Sequence, residues 1–188
     1  MEPDIGTPAA LFAAGARPGR LRSLVVGSGG TAVPIQLGDA LRKWVFAPDL
    51  EPYRRIGGQP IVERAMQTLE RYTPTDTARE DYLASHEGVR FAESIRYVQC
   101  YLTELPVLRE VLPHIQTPVQ IIAGRRDRVV LPVNDEYLRE RLPRSELHLI
   151  DFPHFVWEDA ADEYAALVNA WWANGYKLCG TSTGAVVP

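Results

Sequence analysis

The sequence predicts an α/β chain built on a short parallel sheet that carries a helical insertion. Residues 21–26, 119–123 and 147–150 are short apolar runs rich in Val, Ile or Leu and bounded by Gly, Pro or Asp. Strands covered on both faces have this pattern. Segments with helical periodicity lie between and after the runs. That alternation is the spacing of crossover units, so the three strands are expected side by side in chain order with right-handed connections.

Taken in order, the chain opens on Asp4-Ile5-Gly6-Thr7-Pro8, a sharp turn, and continues with a helical pattern over residues 9–14. Pro18-Gly19-Arg20 stops that helix. The first apolar run is closed by Gly27-Ser28-Gly29-Gly30; no Lys-Ser/Thr pair follows, so this is a poor phosphate loop. Residues 35–112 form an insertion of helical pattern. Leu37, Leu41, Trp44 and Val45 share one face; Ile61, Ala65, Met66, Leu69 and Tyr72 share another; Phe91, Ile95, Val98, Leu102 and Leu105 share a third. Prolines and glycines at 48, 52, 57, 58, 60 and 74 divide the pieces. The last helix is expected over residues 157–173, ended by Asn174-Gly175. Residues 177–188 have no periodicity and read as a loose tail.

Composition bounds the function classes. The chain has 188 residues, 46% hydrophobic and 23% charged, enough apolar material for one sizeable core. Its net charge of -4, with Arg54-Arg55 and Arg125-Arg126 as isolated basic pairs, argues against a nucleic-acid partner. Cys100 and Cys179 stand in unlike contexts and suit a reducing interior better than a disulfide framework. No basic-then-apolar leader opens the chain, and no apolar run approaches the roughly 20 residues needed to span a bilayer. The reading is a cytoplasmic protein with a small-molecule substrate. No histidine has metal spacing with a neighbour, and no metal or cofactor is expected.

The chemistry concentrates in three residues, each in or beside a loop next to a predicted strand. Asp127 follows the second strand in Ala123-Gly124-Arg125-Arg126-Asp127-Arg128-Val129-Val130-Leu131-Pro132. His154 follows the third in Asp151-Phe152-Pro153-His154-Phe155. Asp4 stands in the opening turn. Loops leaving the C-terminal edge of a parallel sheet converge on one crevice. A histidine there can take a proton from water, and a buried carboxylate can hold its ring. Taken singly, an Asp after a strand is most often a turn former or helix cap, and a loop His is most often solvated or bonded to backbone.

Together the three resemble the α/β-hydrolases. The turn and helix at Asp4 look like the second half of the nucleophile elbow, and the order nucleophile, acid, histidine agrees. Pro153 stands where Gly is more usual, and Glu2 stands where the elbow favours a small residue. The resemblance implies the C-terminal portion of that fold: core residues 1–34 and 113–176 with a cap subdomain over 35–112, which on pattern alone is equally a plain helical crossover. It implies that Asp4 is the nucleophile and that the N–H of Ile5 serves the oxyanion.

An Asp in this role is similar to the epoxide hydrolases and haloalkane dehalogenases, in which the carboxylate forms an ester with the substrate. Those families use cap tyrosines to receive an epoxide oxygen, or Trp or Asn to receive a halide. The candidates here are Tyr97 and Tyr101, four apart and expected on one helix face, and Trp44; any one cap tyrosine more often simply packs the cap core. An esterase-like hydrolase, and a catalytically silent remnant that binds or assembles, remain open. The resemblance also implies that the strands before the elbow and the second oxyanion donor are absent. Met1 to Pro3 are too few to form the missing strand, and Pro3 lacks an N–H for a ladder. A mobile Asp4 and an open edge at residues 21–26, able to associate with another chain, are therefore expected.

Overall fold

The computed structural model describes residues 1–178. Four strands pair in parallel, in an order that follows the chain: β1 (Glu2–Pro3), β2 (Leu24–Gly27), β3 (Val119–Gly124) and β4 (Ser145–Ile150). The three expected runs are all strands, with bounds moved by up to three residues. The expected tail at 179–188 lies outside the described residues.

β1 corrects the expectation that the opening residues cannot form a strand. Glu2 pairs with Val26 and Pro3 with Gly27. Pro3 is tolerated because the short strand lies at the sheet edge, where a missing donor costs least. The ladder continues through Asp4, whose N–H donates to the Gly27 carbonyl at 2.9 Å.

Side chains alternate across the sheet. Leu24, Val26, Val119 and Ile121 face one core, and Val25 and Ile122 face the other. The first face is covered by α1 (Gly6–Ala16), α7 (Tyr101–Val111) and α8 (Val133–Arg141). The second is covered by α10 (Ala161–Ala173) through Tyr164 and Trp171. Thr7, Ala10, Leu11 and Ala14 of α1 are buried, one stripe at helical spacing. Pro8 is harmless there, since the first turn has no intrahelical acceptor for its missing N–H.

Within residues 35–112 the secondary structure is six α-helices joined by turns and loops: α2 (Asp39–Val45), α3 (Glu51–Ile56), α4 (Gln59–Met66), α5 (Asp76–Ser85), α6 (Arg90–Gln99) and α7. Leu41 and Val45 of α2 pack with Phe91, Ile95 and Val98 of α6. Four details differ from expectation. Leu37 lies before α2 and forms an isolated antiparallel bridge with Val130. α4 stops at Met66, so Leu69 and Tyr72 lie beyond it. The expected face from Phe91 to Leu105 is divided at Cys100, between α6 and α7; Leu105 is buried while Leu102 is exposed. The expected terminal helix is split into α9 (Val156–Asp159) and α10 by Ala160, at φ -124° and ψ 39°.

Candidate active site

The site starts from backbone geometry at Asp4. This residue has φ 53°, the left-handed region. A non-glycine residue held there costs about 1–3 kcal/mol and persists only where its surroundings impose it. Here the imposition is visible. The Asp4 N–H is bonded to Gly27, and its carbonyl accepts from Thr7 N–H at 2.9 Å. The buried Thr7 hydroxyl lies 3.0 Å from the Gly27 carbonyl and 3.1 Å from that of Glu2, and it accepts from Gly27 N–H. Gly29 completes the seat: an added Cβ would fall 2.5 Å from the Asp4 carbonyl oxygen. The turn is therefore anchored on both sides, contrary to the expectation of a loosely held Asp4. The large Glu2 side chain fits because it lies over Gly6, which offers no Cβ against it.

Asp127 leaves β3 through a tight loop. Its Oδ1 accepts the N–H groups of Val129 and Val130 at 2.7 and 2.9 Å. These bonds fix the carboxylate and leave Oδ2 for His154. The Nδ1–H of His154 donates to Oδ2 at 2.7 Å, a short charge-assisted bond between two buried groups. The acid and histidine loops approach closely because Gly124 has no side chain: a Cβ there would collide with the carbonyl oxygens of Phe152 and Pro153. Arg126 N–H donates to the Phe152 carbonyl at 3.1 Å, stitching the same two loops.

The second ring nitrogen of His154 faces the turn. Nε2 lies 3.6 Å from Oδ1 of Asp4, whose side chain is 42% exposed. That gap is longer than a hydrogen bond and short enough for strong Coulombic coupling. Burial acts to lower the His154 pKa, but Asp127 and Asp4 together outweigh it, and the value is pushed up to about 10. Phe155 and Trp157 flank the imidazole edge-on, with ring centroids 4.8 and 5.7 Å away.

The structure thus brings Asp4, Asp127 and His154 together and sorts the remaining candidates. Ile5 is the N-cap of α1, where an N–H has no intrahelical acceptor. Tyr101 is buried, rests against Gly30, and feels the charge of Asp4. Burial first, and Asp4 next, hold its hydroxyl well above the usual phenol range, so it stays protonated. Tyr97, on α6, is 44% exposed. Trp44 packs edge-on against Phe91, with centroids 5.1 Å apart, inside the helical insertion.

Two buried acids were missed in the sequence. Asp135 of α8 accepts from the Ser28 N–H at 3.0 Å; its other oxygen and the Ser28 hydroxyl have no partner among the described residues. Burial pushes the Asp135 carboxyl up to about 8. Its neighbour Asn134 is fully used, accepting from Thr31 and Ala32 and donating to Gln36 and Leu131. Asp159, at the end of α9, accepts three backbone N–H groups from residues 70–72. A stretch of acids beside a helix reads from sequence as ordinary capping. Only the distance in chain of their partners, 107 residues for Ser28 and 89 for Glu70, sets them apart.

Asp4 thus stands in the left-handed region on a tight turn between a parallel strand and a helix, with the Asp127–His154 pair across the sheet edge. The chain has the fold of the α/β-hydrolases. Solved structures agree. The chain superposes on an α/β-hydrolase enzyme, MGS-M2, from a Medee basin deep-sea metagenome library, with TM-score 0.66 and 18% identity over 98% of this chain and 66% of that one. It is similar to a 2-hydroxy-6-oxo-6-phenylhexa-2,4-dienoate hydrolase from Rhodococcus sp. strain RHA1, with TM-score 0.64 and 18% identity over 89% and 61%. A meta-cleavage product hydrolase from Pseudomonas fluorescens IP01 gives TM-score 0.61 and 18% identity over 92% and 63%. The chain therefore spans between 61% and 66% of the length of these α/β-hydrolase structures. No protein-family profile and no curated protein matches the sequence. Among the described residues, no helix is long and apolar enough to cross a membrane.

Proposed function

We propose that this chain is a hydrolase of the α/β-hydrolase type that opens a small apolar epoxide through an ester on Asp4. The observation that carries this reading is the position of Asp4 on the strained turn, with Nε2 of His154 3.6 Å from its Oδ1 and Nδ1 bonded to Asp127. A serine in that position would attack an acyl carbon. A carboxylate attacks a saturated carbon instead.

In the first step an oxygen of Asp4 bonds to an epoxide carbon and the ring C–O bond breaks. The released oxygen takes the proton of Tyr101, whose raised pKa keeps that proton in place until an alkoxide forms. Tyr97 and Trp44 line the cap in this reading, as substrate contacts. The ester is neutral, so His154 loses one of the two carboxylates that hold its pKa near 10. The imidazolium then yields its proton, through solvent, to the Tyr101 phenolate. Neutral Nε2 next takes a proton from water, and the hydroxide attacks the ester carbonyl carbon. The N–H of Ile5 stabilises the oxyanion. Collapse releases the diol and restores the Asp4 carboxylate and the His154 imidazolium. The electrostatics thus delay base catalysis until the ester exists.

The discriminating experiment is turnover of a chromogenic epoxide panel beside a chromogenic ester panel, with the parent protein and Asp4→Ala. Epoxide turnover that falls roughly a thousandfold or more in Asp4→Ala supports the reading. Ester turnover alone favours an esterase-like hydrolase. No turnover on either panel favours a binding or assembly role. A cytoplasmic setting and self-association through the sheet edge belong to the same proposal.

A further inference from the structure

The Asp159 carboxylate is 2% exposed and lies five residues beyond His154. Its Oδ1 accepts the N–H groups of Glu70, Arg71 and Tyr72 at 3.0, 2.9 and 3.0 Å, and its Oδ2 lies 3.0 Å from Glu70 N. Three successive backbone donors on one carboxylate form an anion nest. A carboxylate is held out of water only where its oxygens are hydrogen-bonded in this way.

The same short segment is fastened at other points. Both Glu70 oxygens bind Arg126, at 2.7 and 2.6 Å, in a fork that only a guanidinium can make. Arg126 adjoins Asp127 in the chain and also binds Asp151, at 3.1 Å to Oδ1 and 2.9 Å to the carbonyl. The Arg71 guanidinium lies 4.6 Å from the centre of the Phe152 ring and 3.3 Å from Glu163. Further along the insertion, outside that segment, Tyr82 of α5 donates to Glu158 at 2.6 Å. The anchors Arg126, Phe152 and Asp159 are each within five residues of Asp127 or His154, and Glu163 stands nine beyond His154.

We propose that residues 70–72 form a latch tying the helical insertion to the acid loop and the histidine loop at once, with Asp159 and Arg126 as positioning residues for the Asp127–His154 pair. The two loops leave different strands, β3 and β4, and a 2.7 Å bond between them tolerates little drift. A strap from a third element, attached to both, opposes that drift. This inference rests on the hydrolase reading only in calling that pair functional; the latch itself is defined by its anchors.

The test uses no substrate, so its failure is separate from failure of the hydrolase reading. Amide hydrogen exchange is measured at residues 70–72. The low-field Nδ1–H resonance of His154, assigned by its loss in His154→Gln, is followed with pH. The charged groups facing the ring are Asp4 from the turn, Asp127 from the acid loop and Asp135 from α8. In Asp159→Asn, exchange at Glu70, Arg71 and Tyr72 is expected to rise roughly tenfold or more. The His154 resonance is expected to weaken and its titration to move toward that of an ordinary histidine. Glu70→Gln, a surface change that leaves the buried nest intact, is expected to shift His154 in the same direction by less. Faster exchange at residues 70–72 with an unchanged His154 resonance and titration would reduce the latch to a local staple and overturn the proposal. If Asp159→Asn does not fold, an unchanged His154 in Glu70→Gln overturns it alone.

Discussion

Nε2 of His154 and Oδ1 of Asp4 stand 3.6 Å apart, although 150 positions of chain separate the two residues (154 − 4). The contact joins the turn that opens the chain to the loop after the last strand. It makes the protonation of His154 a property of the whole site. Burial acts against the imidazolium, and Asp127 and Asp4 more than compensate.

That balance has a signed consequence for stability. The folded pKa of His154, about 10, lies above its ordinary value of 6.5. The contribution of this group is therefore complete below about pH 6.5. It is lost as pH rises through about 10. Thermal melts between pH 6 and 10.5 should show a falling Tm, and Asp4→Asn should flatten the fall by removing one of the two carboxylates. Equal slopes in the two proteins would place Asp4 out of electrical contact with His154.

Asp135 acts in a lower window. Its folded pKa is raised from 3.8 to about 8, so stability declines as the pH rises across that range. Asp135→Asn keeps an acceptor for the Ser28 N–H and cannot ionise. The variant should gain on the parent protein as the pH rises from 4 to 8, because the parent's unfolded state ionises at this position and the variant's does not. Denaturant melts at the two ends of the range measure the difference.

Gly29→Ala probes the seat of the elbow. The new methyl would sit 2.5 Å from the Asp4 carbonyl oxygen and from the Thr7 Cβ. The first is backbone and the second is fixed directly to it, so neither can rotate away. Overpacking of this kind costs about 1–3 kcal/mol. The expected result is a lower denaturation midpoint and loss of any reaction at Asp4, while the His154–Asp127 resonance persists.

The sheet edge gives a fourth prediction. β1 pairs with β2 at Val26 and Gly27, and among the described residues no strand pairs on that side with Leu24 and Val25. Unpaired strand edges recruit other chains. Size-exclusion chromatography should show a species heavier than the 21.0 kDa monomer at micromolar concentration. A sharp monomer peak at every concentration would show that two residues of β1 are cover enough.

Much of this was legible because it is local. The parallel strands are short apolar runs with sharp ends. Asp127 and His154 each stand a few residues past a strand, so chain order alone brings them to one edge. Asp4 was legible as a turn residue, but its anchoring was not. Its hold comes from Gly27, Thr7 and Gly29, and the last of these acts by a missing side chain. Tyr97 and Tyr101 were legible by their spacing, but their unequal burial and the division of the helix at Cys100 were not. Asp159 and Asp135 were not legible at all. Their partners are remote in sequence, and an acid bound by backbone N–H groups has no partner side chain to recognise.

The central claim is a covalent bond on Asp4. The measurement is intact-protein and peptide mass spectrometry of His154→Gln after incubation with an epoxide turned over by the parent protein. Glutamine cannot deprotonate water, so the ester should accumulate, adding the full mass of the epoxide to the N-terminal peptide at Asp4 and nowhere else. Asp4→Asn in the same background should carry no adduct. No adduct in His154→Gln, with turnover retained in Asp4→Ala, would contradict the account and return Asp4 to the role of a turn residue.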